Sequence, residues 1–218
     1  MILTHDQIIA AYKSGDILIE PFDEKQVQAA SYDLRVGPKG GTTSAKKITS
    51  IKDQDYLTLE PGDFAIVTVL EELRLGAQYA ARFGLRSKHA RKGLIATTGP
   101  QIDPGYHGRL IIGLTNLTPN PVSLAYRDDF LTVEFHKLSE ASTKPYSGPY
   151  QDKLDIGPEE IEAITEREGM ALSEVITTLR SLSKNVASLS DQMKTFKWTI
   201  PAIVAFGIAV ISIIVFLK

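Results

Sequence analysis

The sequence predicts a mainly β domain, a distorted antiparallel barrel, followed by a helical stalk and an apolar C-terminal segment. Three observations carry that expectation. Up to about residue 140, short runs of alternating apolar and polar residues recur between Pro/Gly turns, as in Tyr32-Asp-Leu-Arg-Val36, the pattern of many short strands. From Pro158 the pattern becomes helical, and Leu172, Val175, Leu179, Leu182, Val186, Leu189, Met193 and Phe196 repeat three and four apart, which is an a/d seam. Finally, Thr199 to Leu217 is nineteen residues without a charge, close to the ~20 that cross a hydrocarbon core.

Composition narrows the function classes. The 218 residues, 43% of them hydrophobic, suffice for one domain with a core plus an appendage. Without cysteine there is no disulfide framework and no thiolate metal site. A formal charge of -2 gives no global attraction to nucleic acid. The N-terminus has no charged region leading into an apolar stretch, so no cleavable signal peptide is expected.

Taken in order, Thr4-His-Asp-Gln7 fits a capping box; Ile8, Ile9 and Tyr12 form a short apolar stripe, and Gly15 ends the helix. In Tyr32 to Val36, Asp33 and Arg35 share one strand face, as an ordinary ion pair or as part of a phosphate and metal site. Gly37-Pro-Lys-Gly-Gly-Thr-Thr-Ser44 reads as a glycine-rich turn between strands, without the Gly-Lys-Ser/Thr ending of a phosphate loop. Leu57 to Glu60 and Phe64 to Leu70 read as two strands about the Pro61-Gly62 turn.

Next comes a basic cluster, Arg86-Ser-Lys-His-Ala-Arg-Lys92, with five basic or potentially basic side chains in seven residues. It is compact and lacks interleaved aromatics, so no nucleic-acid partner is expected. The stretch Gly99-Pro-Gln-Ile-Asp-Pro-Gly-Tyr-His-Gly108 follows. Pro104-Gly105 is a strong turn signal that lifts Asp103 and Tyr106 out of two flanking strands. A carboxylate held there can polarise water, and the ring can floor a sugar or base; a hairpin whose aspartate only caps its turn is the plainer alternative.

Positions flanking the a/d seam are mostly uncharged, and apolar Ile176 beside it favours three or more strands over two. Trp198 stands at the entrance of the apolar segment, and Lys194 and Lys197 precede it, so a single-pass, tail-anchored membrane protein with its N-terminal domain in the cytoplasm is expected. Its contact with the lipid bilayer would run through 199–217.

From Met1 to about Gln151 the chain resembles the dCTP deaminase/dUTPase family. The motifs are Ile17-Leu-Ile-Glu-Pro-Phe-Asp23, Ser31-Tyr-Asp-Leu-Arg35, Pro61-Gly-Asp-Phe64, Arg86-Ser-Lys-His-Ala-Arg-Lys-Gly93, Ile102-Asp-Pro-Gly-Tyr-His-Gly108 and Pro145-Tyr-Ser-Gly-Pro-Tyr-Gln151, in the family's order. The resemblance implies a homotrimer with active sites between subunits and a deoxynucleoside triphosphate as ligand. Carried over by position, it makes Arg86, Ser87 and Arg91 triphosphate-binding and has Asp33 position phosphate and Mg²⁺ indirectly, through water or phosphate. It also makes Asp103 the orienter of the attacking water, packs Tyr106 on the deoxyribose, and counts Gln151 among the substrate-binding residues. Gly113 occupies the position of the deaminases' proton-shuttle glutamate, which argues against dCTP deamination. Pro100, Pro149 and Thr132 depart from the family pattern as well.

The domains expected are a nucleotide-binding domain at 1–151, a coiled-coil stalk at 158–197 and a membrane anchor at 198–218. The expected activity is hydrolysis of dUTP, or a related deoxynucleotide, to the monophosphate and diphosphate. A catalytically idle nucleotide sensor acting on a membrane, as in antiviral defence, and a family-like assembly scaffold are the alternatives.

Overall fold

The computed structural model describes residues 1–165, 178–190, 192–194, 196–197, 199, 201 and 207–208. It comprises two units, Met1–Ser173 and Glu174–Lys218.

The first unit opens with α1 (His5–Lys13), where the Gln7 side chain accepts the Thr4 amide at 3.0 Å and Gly15 takes a φ of +77° just beyond the helix. The expected capping box between Thr4 and Gln7 is in place, and glycine supplies the helix stop. A nine-stranded antiparallel sheet follows. Its strands are β1 (Ile17–Glu20), β2 (Tyr32–Thr42), β3 (Lys47–Ser50), β5 (Phe64–Leu75), β6 (Tyr79–Leu85), β7 (Leu94–Ala96), β8 (Gln101–Ile102), β9 (His107–Asn116) and β11 (Asp129–Lys137). The path runs β7-β9-β5-β2-β11-β6-β8, with β1 also on β5 and β3 also on β2. β4 (Tyr56–Leu59) pairs with β10 (Val122–Ala125) in a separate ribbon.

The expected barrel is therefore a curled antiparallel sheet whose ends do not pair. β7 and β8 are consecutive in sequence yet lie at opposite ends of the path. Residues 97–100 cross from one to the other, and Pro100 brings no amide to a ladder there. Curling buries Tyr32, Leu34, Val36, Val67, Val69, Leu114, Val133 and Phe135 in one core, the inward set that strand alternation predicts, and Phe130 joins it where the register of β11 on β2 shifts between Asp129 and Leu131.

Three local readings change. Gly37–Thr42 is not a turn but the second half of β2, where the register on β5 shifts between Val36 and Gly40. A Cβ on Gly37 would stand 2.3 Å from the Val69 carbonyl oxygen, and one on Gly41 2.4 Å from that of Lys47. These glycines thus permit close backbone approach at a bulge. The strands around Pro61-Gly62 are present but do not pair with each other. The same holds around Pro104-Gly105: β8 pairs with β6 and β9 with β5, so this turn is a corner rather than a hairpin.

After the sheet, α4 (Pro158–Thr165) buries Ile164 and Glu160 and contacts β3 and β5. In the second unit, residues 178–190 are helical. Leu179, Leu182, Val186, Leu189, Met193 and Phe196 are all exposed, and Leu172 and Val175 of the expected seam lie outside the described residues. The membrane localisation is corrected: among the described residues no helix is long and apolar enough to cross a membrane. Most of the 199–217 segment on which that expectation rested lies outside the described residues.

Candidate active site

The gap between the sheet's two ends forms a cavity of about 670 Å³. Thr97, Thr98, Gly99, Gln101 and Ile102 line it from the 97–102 stretch, Phe64, Ile66, Phe83, Arg109 and Ile112 from β5, β6 and β9, and Tyr146, Tyr150 and Glu159 from the chain after the sheet. The mixture of rings and a few polar groups suits a small, flat, partly polar ligand.

Asp103 and Tyr106 both line this cavity. The Tyr106 amide donates to the Asp103 carbonyl at 3.1 Å, closing the turn around Gly105, whose φ is +81°. An Asp103 carboxylate oxygen accepts from Gln101 Nε2 at 2.7 Å, which leaves acceptor capacity for water. Tyr106 is buried, its ring edge-on to Tyr146 with centroids 5.7 Å apart. Burial pushes its phenol well above the ordinary tyrosine range, so the group stays neutral and offers an apolar face. Gln151 reaches the same corner from the far end of the domain: its Nε2 donates to the Gly105 carbonyl at 3.2 Å and its Oε1 accepts the His107 amide at 3.3 Å. In this structure its amide is occupied in holding the corner.

The basic cluster lies elsewhere. α3 (Ser87–Ala90) follows Arg86, whose Nη1 donates to Asp33 Oδ2 at 2.5 Å and to Asp129 at 3.2 Å. Asp33 is buried and also accepts the Thr132 hydroxyl at 2.7 Å, so Thr132 serves the aspartate directly. His89 anchors α3, its Nε2 3.1 Å from the Asp129 carbonyl, and burial lowers its pKa. Ser87 and Arg91 are exposed. None of Arg86, Ser87, Arg91 and Asp33 lines the cavity. The expected site residues thus form two groups in one chain, an Asp103–Tyr106 pocket and an Arg86–Ser87–Arg91 patch.

Gly113 faces the cavity from β9. Its amide donates to Thr98 Oγ1 at 2.7 Å, and its carbonyl accepts the Thr97 amide at 2.9 Å. A Cβ there would meet Thr97 Oγ1 at 2.5 Å and the Phe64 ring at 3.1 Å. The position has no room for a longer side chain as the structure stands. Thr97, Thr98, Phe64 and Phe83 escaped the sequence reading, since nothing local marks an isolated threonine or phenylalanine as cavity-lining. Among the described residues, no group of three or more His, Asp or Glu side chains is placed to hold a metal ion. Asp33 is committed to Arg86 and Thr132.

Residues 2–138 match the dCTP deaminase-like family. The chain belongs to that family. A dCTP deaminase of Thermococcus sibiricus is 37% identical over 136 residues, 62% of this chain and 85% of that protein. A dUMP-forming dCTP deaminase of Methanothermobacter thermautotrophicus is 32% identical over 177 residues, 72% of this chain and 90% of that protein. Among solved structures, the 2'-deoxycytidine 5'-triphosphate deaminase of Agrobacterium tumefaciens superposes with a TM-score of 0.53 at 23% identity, covering 62% of this chain and 48% of that one. At that identity the likeness speaks to the fold. The family match ends at residue 138, so the lining residues from Tyr146 onward lie beyond it.

Proposed function

We propose that this family member is a homotrimeric deoxynucleotide hydrolase that converts dUTP, or a close relative, to the monophosphate and diphosphate. The observation that carries the reading is the separation of the two groups of site residues. A pocket with a carboxylate, whose lining cation Arg109 is already bonded to the Leu154 carbonyl, and a cationic patch that does not line that pocket make one complete site if the patch of one subunit faces the pocket of the next. Closed symmetry then repeats that site around the ring.

The chemistry follows from the side chains. Asp103 accepts a proton from a water molecule as the water oxygen bonds to the α-phosphorus. The bond from that phosphorus to the bridging oxygen breaks, and diphosphate leaves with the electron pair. Ser87, Arg86 and Arg91 of the neighbouring subunit take up the negative charge on the phosphate oxygens. Tyr106 gives the deoxyribose an apolar floor. Mg²⁺, which prefers phosphate and water oxygens, belongs in this reading to the incoming triphosphate, and no step here runs through it. Gly113 carries no proton shuttle, which supports hydrolysis over the deamination named for the relatives. The apolar stripe from Leu179 to Phe196 supports a trimeric coiled coil in the second unit.

The test is product analysis with dUTP, dCTP, dTTP and the ribonucleotides. Formation of dUMP and diphosphate from dUTP, reduced about 100-fold or more in Asp103→Asn, is expected. Release of ammonia from dCTP would replace this reading with deamination, and turnover undiminished in Asp103→Asn would remove Asp103 from the mechanism.

A further inference from the structure

His107, at the start of β9, lies between two carboxylates from different parts of the chain. Its Nε2 is 2.6 Å from Glu72 Oε1 on β5, and its Nδ1 is 2.5 Å from Asp152 Oδ1 in the segment beyond the family match. A neutral imidazole has one N–H, whereas a carboxylate only accepts. Both contacts are therefore hydrogen bonds only when the ring carries two protons. The two carboxylates raise the ring's pKa, with Asp152 contributing most.

What Asp152 belongs to gives the contact its meaning. Around it the chain runs alongside β9: the Asp152 amide donates to the His107 carbonyl at 2.8 Å, and the Arg109 amide to the Lys153 carbonyl at 2.8 Å. Arg109 Nη1 adds a bond to the Leu154 carbonyl at 3.0 Å, and Asp155 pairs with Lys39. Lys153 then ion-pairs with buried Glu160 at 2.6 Å, fixing the start of α4. This strap contributes Tyr150, Glu159 and Ala163 to the cavity.

We propose that His107 is a proton-operated latch, which when charged fastens the strap of residues 150–165 to the β5–β9 face as one wall of the cavity, and when neutral loosens it. The charged groups around the ring are Glu72 and Arg74 on β5, Arg109 on β9, and Asp152 and Lys153 on the strap; Arg74, the register partner of His107, is exposed. The carboxylates alone touch the ring, and they favour its charged form. Opening the strap removes a wall of the cavity without disturbing the sheet. Ligand entry is therefore easier, and ligand retention weaker, as the pH rises. The latch stands on the strap's geometry and does not depend on which ligand the cavity takes.

Hydrogen exchange of the full chain, followed by mass spectrometry between pH 5.5 and 8.5 and corrected for intrinsic exchange rates, tests this directly. Protection in peptides spanning 107–112 and 148–156 is expected to fall about tenfold as the pH rises, the effect of one charge-assisted hydrogen bond, while β11 stays protected. In His107→Gln the same peptides should be weakly protected at every pH. In Asp152→Asn, which changes a largely exposed carboxylate, the transition should move to lower pH. A pH-independent strap in the unaltered protein, the same transition persisting in His107→Gln, or an unmoved transition in Asp152→Asn would each overturn the latch.

Discussion

Thr97 and Gly113 are hydrogen-bonded neighbours beside the cavity, the Thr97 amide donating to the Gly113 carbonyl at 2.9 Å and the threonine hydroxyl 2.5 Å from where a Cβ on the glycine would stand. The missing side chain at 113 and the hydroxyl at 97 are two halves of one steric solution. Gly113→Ala should destabilise the domain by about 1–3 kcal/mol, the usual cost of overpacking. In a Thr97→Ala background that cost should shrink, leaving mainly the contact with Phe64. Urea unfolding of the four proteins in this cycle checks it; a cost unchanged by Thr97→Ala would mean that the hydroxyl is not the obstacle.

Arg35 and Glu71 form a second pair with a measurable consequence. Glu71 is fully buried, its Oε1 2.6 Å from Arg35 Nε and its Oε2 3.0 Å from the Arg35 amide. Burial pushes the Glu71 carboxyl up, against the pull of the arginine. Arg35→Met leaves the carboxylate uncompensated and should cost about 3–5 kcal/mol at neutral pH. Since the unpaired group must bind a proton to sit in the core, the loss should lessen as the pH is lowered. Adding Glu71→Gln should recover part of it, read as a rise in the thermal midpoint.

The proposed arrangement of subunits makes a prediction that one chain acting alone does not. Asp103→Asn disables the pocket and Arg91→Ala the phosphate patch. Each variant should be inactive by itself. When equal amounts are unfolded and refolded together, about a quarter of the sites would pair an intact pocket with an intact patch, as random assembly of a closed ring requires. Phosphate-release assays on the mixture would show it, whereas a mixture as inactive as its components would place the complete site within one subunit.

The apolar stripe of the second unit can be probed with cysteine because the chain has none of its own. Val186 lies on the seam and Ser188 two residues away from it. Under mild oxidation Val186→Cys should form cross-linked dimers efficiently and Ser188→Cys poorly, as judged by non-reducing electrophoresis. Equal cross-linking at both positions would argue against a seam.

His107 also sets a stability trend. Its pKa is raised on folding, so the folded state binds the proton more tightly than the unfolded one. Its contribution is complete below the ordinary histidine value of about 6.5 and is lost as the pH climbs through the folded value. The difference in unfolding free energy between the unaltered protein and His107→Gln should be larger at pH 5.5 than at pH 9. A difference that grows with pH would reverse the assigned sign.

Local signals in the sequence reached as far as local physics does. Alternation in Tyr32 to Val36 and the helix stop at Gly15 were legible because each depends on neighbours in sequence. The Asp103–Tyr106 corner was legible for the same reason, through Pro104-Gly105. Pairing was not: Pro61-Gly62 marks a turn but cannot say that β4 leaves for β10. The glycines at 37, 40 and 41 read as a turn because nothing nearby reveals that backbones from β3 and β5 press on them. That a site is shared between subunits was implied by the resemblance, but which residues fall on which side was not legible, since Asp103 and Arg91 both fit one site by motif and the fold puts only Asp103 at the cavity. His107 gave no signal, because its partners Glu72 and Asp152 lie 35 and 45 residues away.

The open seam between β7 and β8 has a bearing on how such a protein changes. The connection at 97–100 spans the gap without entering the core, held to the sheet by the bonds of Thr97 and Thr98 to Gly113 and of the Pro100 carbonyl to the Phe83 amide. A deletion there narrows the mouth, a glycine relaxes it, and a proline stiffens it, while the ladders on both sides keep their register. The shape of the mouth and the stability of the sheet are thereby coupled at one point, the contact of Thr97 with Gly113, which belongs to both.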